Sequence, residues 1–240
     1  MGAVPSEPIE ISALPRDVDE KDAFTLWVLE HCKRDSSVLE IGAAEGMHTF
    51  AGRIQTSVRR LVGVDPDPRI HRNPYLHERH QVQVEEYAVQ CDEKYDCIYA
   101  FYVIEHIRAP LGFLLAARRL LKPGGSFFAA TCNLNHYFGL AAKLTAECGI
   151  QDGLLRHLMG PELTATYHHR TWYRANSLAL LSKLLRTTGF SHIEYRLYDN
   201  PTLTRPYFPG GMKWFPGFYS MAVYRFNRPR LMCTITLRAS

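Results

Sequence analysis

Apolar positions along the chain switch between two periods. From Val18 to Lys33 they recur at helical spacing: Phe24, Trp27, Val28 and His31 follow the three-and-four rule, and Leu29 and Cys32 widen the stripe. Asp35-Ser36-Ser37 breaks that helix, and Val38-Leu39-Glu40-Ile41 then reads as a short buried strand. The strand runs into Gly42, Ala43, Ala44, Glu45 and Gly46, after which a helix is expected over 47–54. Further strands are expected at 61–64, 81–84, 94–101 and 126–131. Pro110 suits the first position of a helix over 111–121, which Lys122-Pro123-Gly124-Gly125 stops. A helix over 140–148 and one over 177–187, ended by Gly189, come next. Ile193, Tyr195 and Leu197 alternate in a strand over 190–199, and a last strand closes the chain over 230–239.

Strand, helix and strand in repetition imply an α/β fold: a doubly wound, mostly parallel, seven-stranded sheet (Rossmann-like) with helices on both faces. The last strand is expected to be antiparallel. Residues 1–17 read as an N-terminal tail or strap, and residues 18–132 as the ligand-binding core. Residues 133–175 form an insertion too long for an ordinary connection, placed to act as a helical, aromatic lid over the crevice. Residues 176–240 return to the core and carry a Pro-, Gly- and aromatic-rich flap at 200–217.

Composition narrows the class without choosing the chemistry. The 240 residues are 46% apolar and 22% charged, which marks a globular chain. A net charge of +4 without a clustered patch gives no case for nucleic acid. None of the six cysteines forms a C-x-x-C pair, and reduced thiols are expected. No signal peptide and no transmembrane segment is read, so the cytoplasm is the expected location. Peripheral membrane contact through Met212, Trp214 and Phe215 stands beside the reading of that stretch as a pocket wall. A monomer and a homodimer are both compatible with the sequence.

The glycine turn carries the first chemical signal. Small residues let backbone approach a ligand, and free N–H groups at a helix start receive an anion. The second is Asp65, at the end of the next strand and about twenty residues on, where a carboxylate can accept both hydroxyls of a ribose. A nucleoside-containing ligand follows, and no G-K-S or G-K-T supports a phosphate loop. His71, His77 and His80 invite a zinc reading that lacks cysteine or carboxylate context, so no metal is expected. Glu85, Glu86 and Tyr87 follow the third expected strand; the glutamates read either as adenine ligands or as caps of the next helix.

Together, VLEIGAAEG at 38–46, VGVD ending at Asp65, YDCIYAFYVIEHI at 95–107, LLKPGGSFFAAT at 120–131, NLNHYF at 133–138 and YRANSLALLSKLLRTTGF at 173–190 resemble the class I S-adenosylmethionine-dependent methyltransferases, nearest to the ubiquinone-biosynthesis O-methyltransferase type. The first motif departs from G-x-G-x-G, with alanine at 44. The resemblance implies S-adenosyl-L-methionine as cofactor. It places Glu40, Gly42, Ala43 and Gly46 at the methionine end, Asp65 on the ribose, and Asp67 by the adenine edge. Glu85 or Glu86 would reach the adenine amino group with Tyr87 beside it, and Ala100 and Phe101 would line the pocket near the sulfonium. It implies methyl transfer to a small, apolar or aromatic acceptor, most simply at a hydroxyl, with histidine as base. His136 is the first candidate base, followed by His168, His169 and His106. Tyr137, Trp172, Tyr173, Met212 and Trp214 are the expected acceptor contacts. Nitrogen or carbon methylation, a nicotinamide-dependent oxidoreductase, and a non-catalytic subunit that binds a partner or lipid are the competing readings.

Overall fold

The computed structural model describes residues 8–16, 18–46, 50–159 and 170–240. In chain order the described elements are β1 (Glu10–Ala13), α1 (Glu20–Glu30), β2 (Ser37–Ile41), α2 (Phe50–Ser57), β3 (Arg60–Val64), β4 (Glu78–His80), α3 (Val84–Gln90), β5 (Tyr95–Phe101), α4 (Pro110–Leu120) and β6 (Leu121–Cys132). Then follow α5 (Tyr137–Glu147), α6 (Gln151–Met159), α7 (Leu178–Thr187), β7 (Ile193–Tyr198), a single helical turn at Pro201–Thr204, α8 (Phe215–Arg225) and β8 (Thr234–Ala239).

The strands form one open sheet of eight in the order β1-β7-β8-β6-β5-β2-β3-β4. All neighbours are parallel except β8, which runs antiparallel between β6 and β7. Central strands are buried along their length, as parallel strands covered on both faces must be: β2 is buried throughout and β5 nearly so. One layer packs Phe24 and Trp27 of α1 and Phe50 and Ile54 of α2 against Val38, Tyr99 and Phe128. The other packs Phe113, Leu114 and Leu120 of α4 and Leu181 and Leu185 of α7 against Leu39, Ile98 and Phe127. Trp27, 1% exposed, is core as expected. Asp96 is structural too: it accepts from the Ser37 N–H at 2.8 Å and ion-pairs with Lys122 at 2.8 Å.

The sheet has one strand more than the pattern foretold. Residues 10–13 pair in parallel register with β7, from Glu10 opposite Glu194 to Ala13 opposite Leu197, so part of the expected tail is an edge strand. The third expected strand is also displaced: residues 78–80 pair with β3, and Val84 already begins α3. The edge strand Glu-Arg-His has no apolar alternation to betray it, whereas the Val82/Val84 alternation belongs to the approach and first turn of a helix. The stretch 200–217, expected as loop, contains the Pro201 turn and the start of α8, for which Pro216 supplies the preset backbone of a helix's first turn. The expected helix start at 47–49 lies outside the described residues, and so does His48.

Candidate active site

In an open parallel sheet the ligand crevice forms beyond the carboxyl ends of the strands. Here that edge gathers the turn after β2, Asp65 after β3, the 102–106 segment after β5, residues 133–136 after β6 and Asp199 after β7. Antiparallel β8 contributes its first residue, Thr234, to the same edge.

The turn after β2 is built to bend. Gly42 and Gly46 hold φ of 77° and 74°, and Ala44 between them also has positive φ, 38°. A Cβ on Gly42 would lie 2.4 Å from Val103 Cγ2, and one on Gly46 would lie 2.7 Å from Asn73 Oδ1. Asp65 locks the turn to the next strand. Its Oδ2 accepts from the Ala44 N–H at 2.8 Å, and its Oδ1 accepts from the Asp67 N–H at 2.7 Å. Each carboxylate oxygen retains a second lone pair for a ligand hydroxyl. Asn73, fully buried, braces the turn from below by donating to Ala43 O at 2.9 Å and accepting from the Tyr75 N–H at 3.0 Å. Nothing in its local sequence marked it, because its role depends on a contact thirty residues away.

Glu40, on β2 just before the turn, is buried, and burial pushes its carboxyl up to about 8. Its neighbour across the sheet is Tyr99, whose hydroxyl faces the Glu40 carboxyl and offsets part of that rise, yet Glu40 Oε2 and the Tyr99 hydroxyl are both buried and neither makes a well-formed hydrogen bond among the described residues. A buried, unpaired carboxylate oxygen is costly unless something cationic completes it. The amino group of a bound methionine moiety has the charge and donors for that. Glycine turn, ribose-facing carboxylate and orphaned glutamate oxygen therefore fit S-adenosylmethionine.

Other expected cofactor contacts are redirected. Asp67 caps the turn at 68–72 through the Arg69 N–H and holds the Arg69 guanidinium at 2.6 Å. Glu85 and Glu86 lie in the first turn of α3, whose N-terminus carries no side-chain cap. Glu86 accepts from Gln90, and Glu85 packs towards Gly112 of α4. Tyr87 is a core residue: it is 5% exposed and its hydroxyl lies 2.6 Å from that of Tyr95. Ala100 and Phe101 end β5 at the crevice, both buried, and Phe101 packs edge-on against Phe24 and Phe50.

The histidines divide sharply. His136 is 1% exposed and N-caps α5: its Nδ1 accepts from the Phe138 N–H at 3.2 Å, and its Nε2 lies 3.2 Å from Asp199 Oδ1. A ring nitrogen that accepts at Nδ1 and donates at Nε2 has no lone pair for an acceptor proton. The leading base candidate is thus a structural clasp between β6 and β7. His106 is half-buried after β5, and its Nδ1 pairs with Arg170 O at 3.1 Å, which makes Nδ1 the donor and leaves the lone pair of the neutral ring on Nε2. His168 and His169 lie outside the described residues. His77 Nδ1 accepts from the Leu61 N–H, and His71 meets Gln81, so these two serve the edge strands.

Two buried carboxyls flank this edge: Glu105 of the EHI segment, and Glu20, which the sequence did not flag. Burial pushes Glu105 up to about 7; it accepts from Thr131 at 2.9 Å, and Asn176 donates to Thr131 at 2.6 Å. Burial likewise pushes Glu20 up to about 7; it accepts from Tyr102 at 2.7 Å, and that hydroxyl lies 2.9 Å from Thr234. Tyr102 itself has φ of 55°, a strained backbone for a tyrosine.

Of the expected acceptor contacts, Tyr137 sits in an aromatic cluster with Phe208, Phe215 and Tyr219 and bonds Thr204 at 2.9 Å. Trp172 and Tyr173 donate their N–H groups to Glu105 O at 2.7 and 3.1 Å. Met212 and Trp214 lie on the outside, 49% and 63% exposed.

A family model described as methyltransferase domain matches residues 16–195, and the chain belongs to that family. Within it, the fold is that of the class I, S-adenosylmethionine-dependent methyltransferases. A ubiquinone biosynthesis O-methyltransferase of Sodalis glossinidius is 38% identical over 119 residues, 46% of this chain and 47% of that protein. A tRNA U34 carboxymethyltransferase of Cellvibrio japonicus is 29% identical over 166 residues, 65% of this chain and 46% of that protein. The chain thus spans about half the length of these relatives. The crystal structure of a SAM-dependent methyltransferase from Archaeoglobus fulgidus superposes with a TM-score of 0.58 at 13% identity, covering 92% of this chain and 94% of that one. No helix among the described residues is long and apolar enough to cross a membrane, and no group of three or more His, Cys, Asp or Glu there could hold a metal.

Proposed function

We propose that the protein transfers the methyl group of S-adenosyl-L-methionine to a small-molecule acceptor, at a hydroxyl oxygen. The observation that carries the cofactor half is the coupling of Asp65 to the glycine turn beside a buried Glu40 with an unpaired oxygen. The bound cofactor supplies an activated methyl group, so the chain's own task is to hold, orient and keep water out. Asp65 receives the ribose hydroxyls, Glu40 faces the ammonium, and Gly42 and Gly46 allow the close backbone approach. Val103, which a Gly42 side chain would strike, and Phe101 close the crevice on the β5 side. Residues 133–175 act as the lid and 200–217 as part of its support, through the Tyr137 cluster. For proton removal the histidine candidates are His106, His168 and His169. Nitrogen and carbon acceptors are the alternatives on the same fold.

Isothermal titration with S-adenosylhomocysteine tests the reading on wild type and Asp65→Ala, with circular dichroism confirming that both fold. Wild-type binding should weaken by at least about tenfold in the variant, the scale of losing charge-assisted hydrogen bonds. A folded wild type that does not bind would defeat the proposal. With binding in hand, turnover of hydroxylated against amine-bearing apolar compounds decides the acceptor atom.

A second reading concerns the outer face of α8. Trp214, Phe218 and Met221 form an exposed stripe at helical spacing while Pro216, Ser220 and Val223 face inward, so this helix is apolar on both sides. That favours contact with a lipid surface alongside catalysis.

A further inference from the structure

Trp172 stands among three cations. The guanidinium carbons of Arg170, Arg174 and Arg108 lie 4.0, 5.2 and 5.5 Å from its ring centroid. An indole has two faces, so three guanidinium groups cannot all stack on it to full effect, and gathered this closely they repel one another. All three are exposed, and none pairs with a carboxylate among the described residues. Arg174 also donates to Arg108 O at 3.0 Å, which holds the two chain segments together.

The cluster borders a groove of about 730 Å³ between the start of α4, α5 and α7, lined by Arg108, Arg174 and Trp172 themselves. Lys143 adds a fourth cation, and the one carboxylate among the described lining residues, Glu147, is engaged by Lys143 at 3.7 Å. Leu111, Leu180 and Leu184 make the rest of the surface apolar. The end of α4 that faces the groove has no side-chain cap, and its Pro110 has no N–H, so the positive pole of this 11-residue helix adds to the same field. Through the Trp172 and Tyr173 N–H groups on Glu105 O, the groove adjoins the carboxyl end of β5, where the methyl-transfer crevice lies.

We propose that this groove binds the oxyanion, phosphate or carboxylate, of an amphipathic small molecule whose apolar body lies along Leu111, Leu180 and Leu184. This deepens the acceptor reading above and rests on it for the claim that the molecule is the methyl acceptor; binding itself does not depend on that reading. Guanidinium groups engage such anions through paired, charge-assisted hydrogen bonds.

The test is calorimetric titration of the full chain with octyl phosphate, octanoate and the neutral octyl glucoside, each below its micelle concentration. Wild type is compared with Arg108→Gln and Arg174→Gln, two cations that line the groove, and S-adenosylhomocysteine is titrated into the same samples. The two anions should bind and the glucoside should not. Each substitution should weaken the anions at least about tenfold while S-adenosylhomocysteine affinity holds. The proposal is overturned if neither anion binds, if the glucoside binds as well as they do, or if neither substitution changes anion affinity. Because the cofactor titration reads a separate site, its failure would sink the methyltransferase reading without touching the anion result.

Discussion

At the scale of single residues, the carboxyl edge of the sheet concentrates acids held away from water. Glu20, Glu40 and Glu105 are raised to about 7, 8 and 7, each chiefly by burial. A carboxyl raised above its unfolded value near 4.5 binds more protons folded than unfolded between the two values. Its contribution is complete below the unfolded pKa and is lost as pH climbs through the folded one. Each such acid therefore makes the protein less stable at pH 9 than at pH 5, by up to about 3 kcal/mol for a shift of the size seen at Glu20 and Glu105. Glu20 offers the clean test, because it lies on α1 and not in the glycine turn. Urea midpoints of the wild type should fall between pH 5 and pH 9, and Glu20→Gln, which can still accept from Tyr102, should flatten that fall. Parallel curves for the two proteins would contradict the assignment of a buried neutral Glu20. Glu40 differs in that a cofactor ammonium would favour its charged form, so ligand and burial pull this residue in opposite directions.

At the scale of elements, the unit that matters is β2, its glycine turn, β3 and Asn73 beneath. Gly42→Ala places a methyl 2.4 Å from Val103 Cγ2 in a backbone of φ 77°, so it is disfavoured by both space and conformation. A loss of about 1–3 kcal/mol in denaturation and a collapse of S-adenosylhomocysteine affinity are expected. Asn73→Ala should cost about as much in stability by leaving Ala43 O and the Tyr75 N–H unpaired. If both variants keep full affinity in titration, the turn is not the cofactor cradle. This unit was also the most legible part of the sequence, since an apolar strand, glycines and an acid twenty residues on are all local signals. What local pattern concealed was long-range. His136 sits where a base belongs at the end of β6, yet its partner Asp199 comes from β7, 63 residues later, and turns it into a clasp. The three-residue edge strand β4 is polar, and β1 is visible only through its pairing with β7. Tyr87 reads as a ligand neighbour only while the strand before it is placed three residues too late.

At the scale of the whole molecule, charge and exposed apolar surface are unevenly shared. Residues 200–240 contain six arginines and lysines and no aspartate or glutamate, so the rest of the chain carries 22 basic against 24 acidic residues. Arg205, Lys213, Arg225, Arg228 and Arg230 of that segment are exposed around the same region that exposes Trp214, Phe218, Met221 and Phe226. Aromatics and methionine with a basic surround match an anionic bilayer surface, where apolar side chains enter the headgroup boundary and each cation near the surface adds about 1 kcal/mol. Sedimentation with vesicles containing phosphatidylglycerol should then carry down the protein at 50 mM NaCl, less so at 500 mM, and little with phosphatidylcholine alone. Trp214→Ala with Phe218→Ala should release it without changing S-adenosylhomocysteine affinity, because these side chains are exposed and belong to neither the glycine turn nor Asp65. Equal recovery with neutral and anionic vesicles would show that charge plays no part. Absence of binding to either would leave the α8 stripe as surface held only by its contacts with the Tyr137 cluster, and the lipid reading would fall while the cofactor site stood.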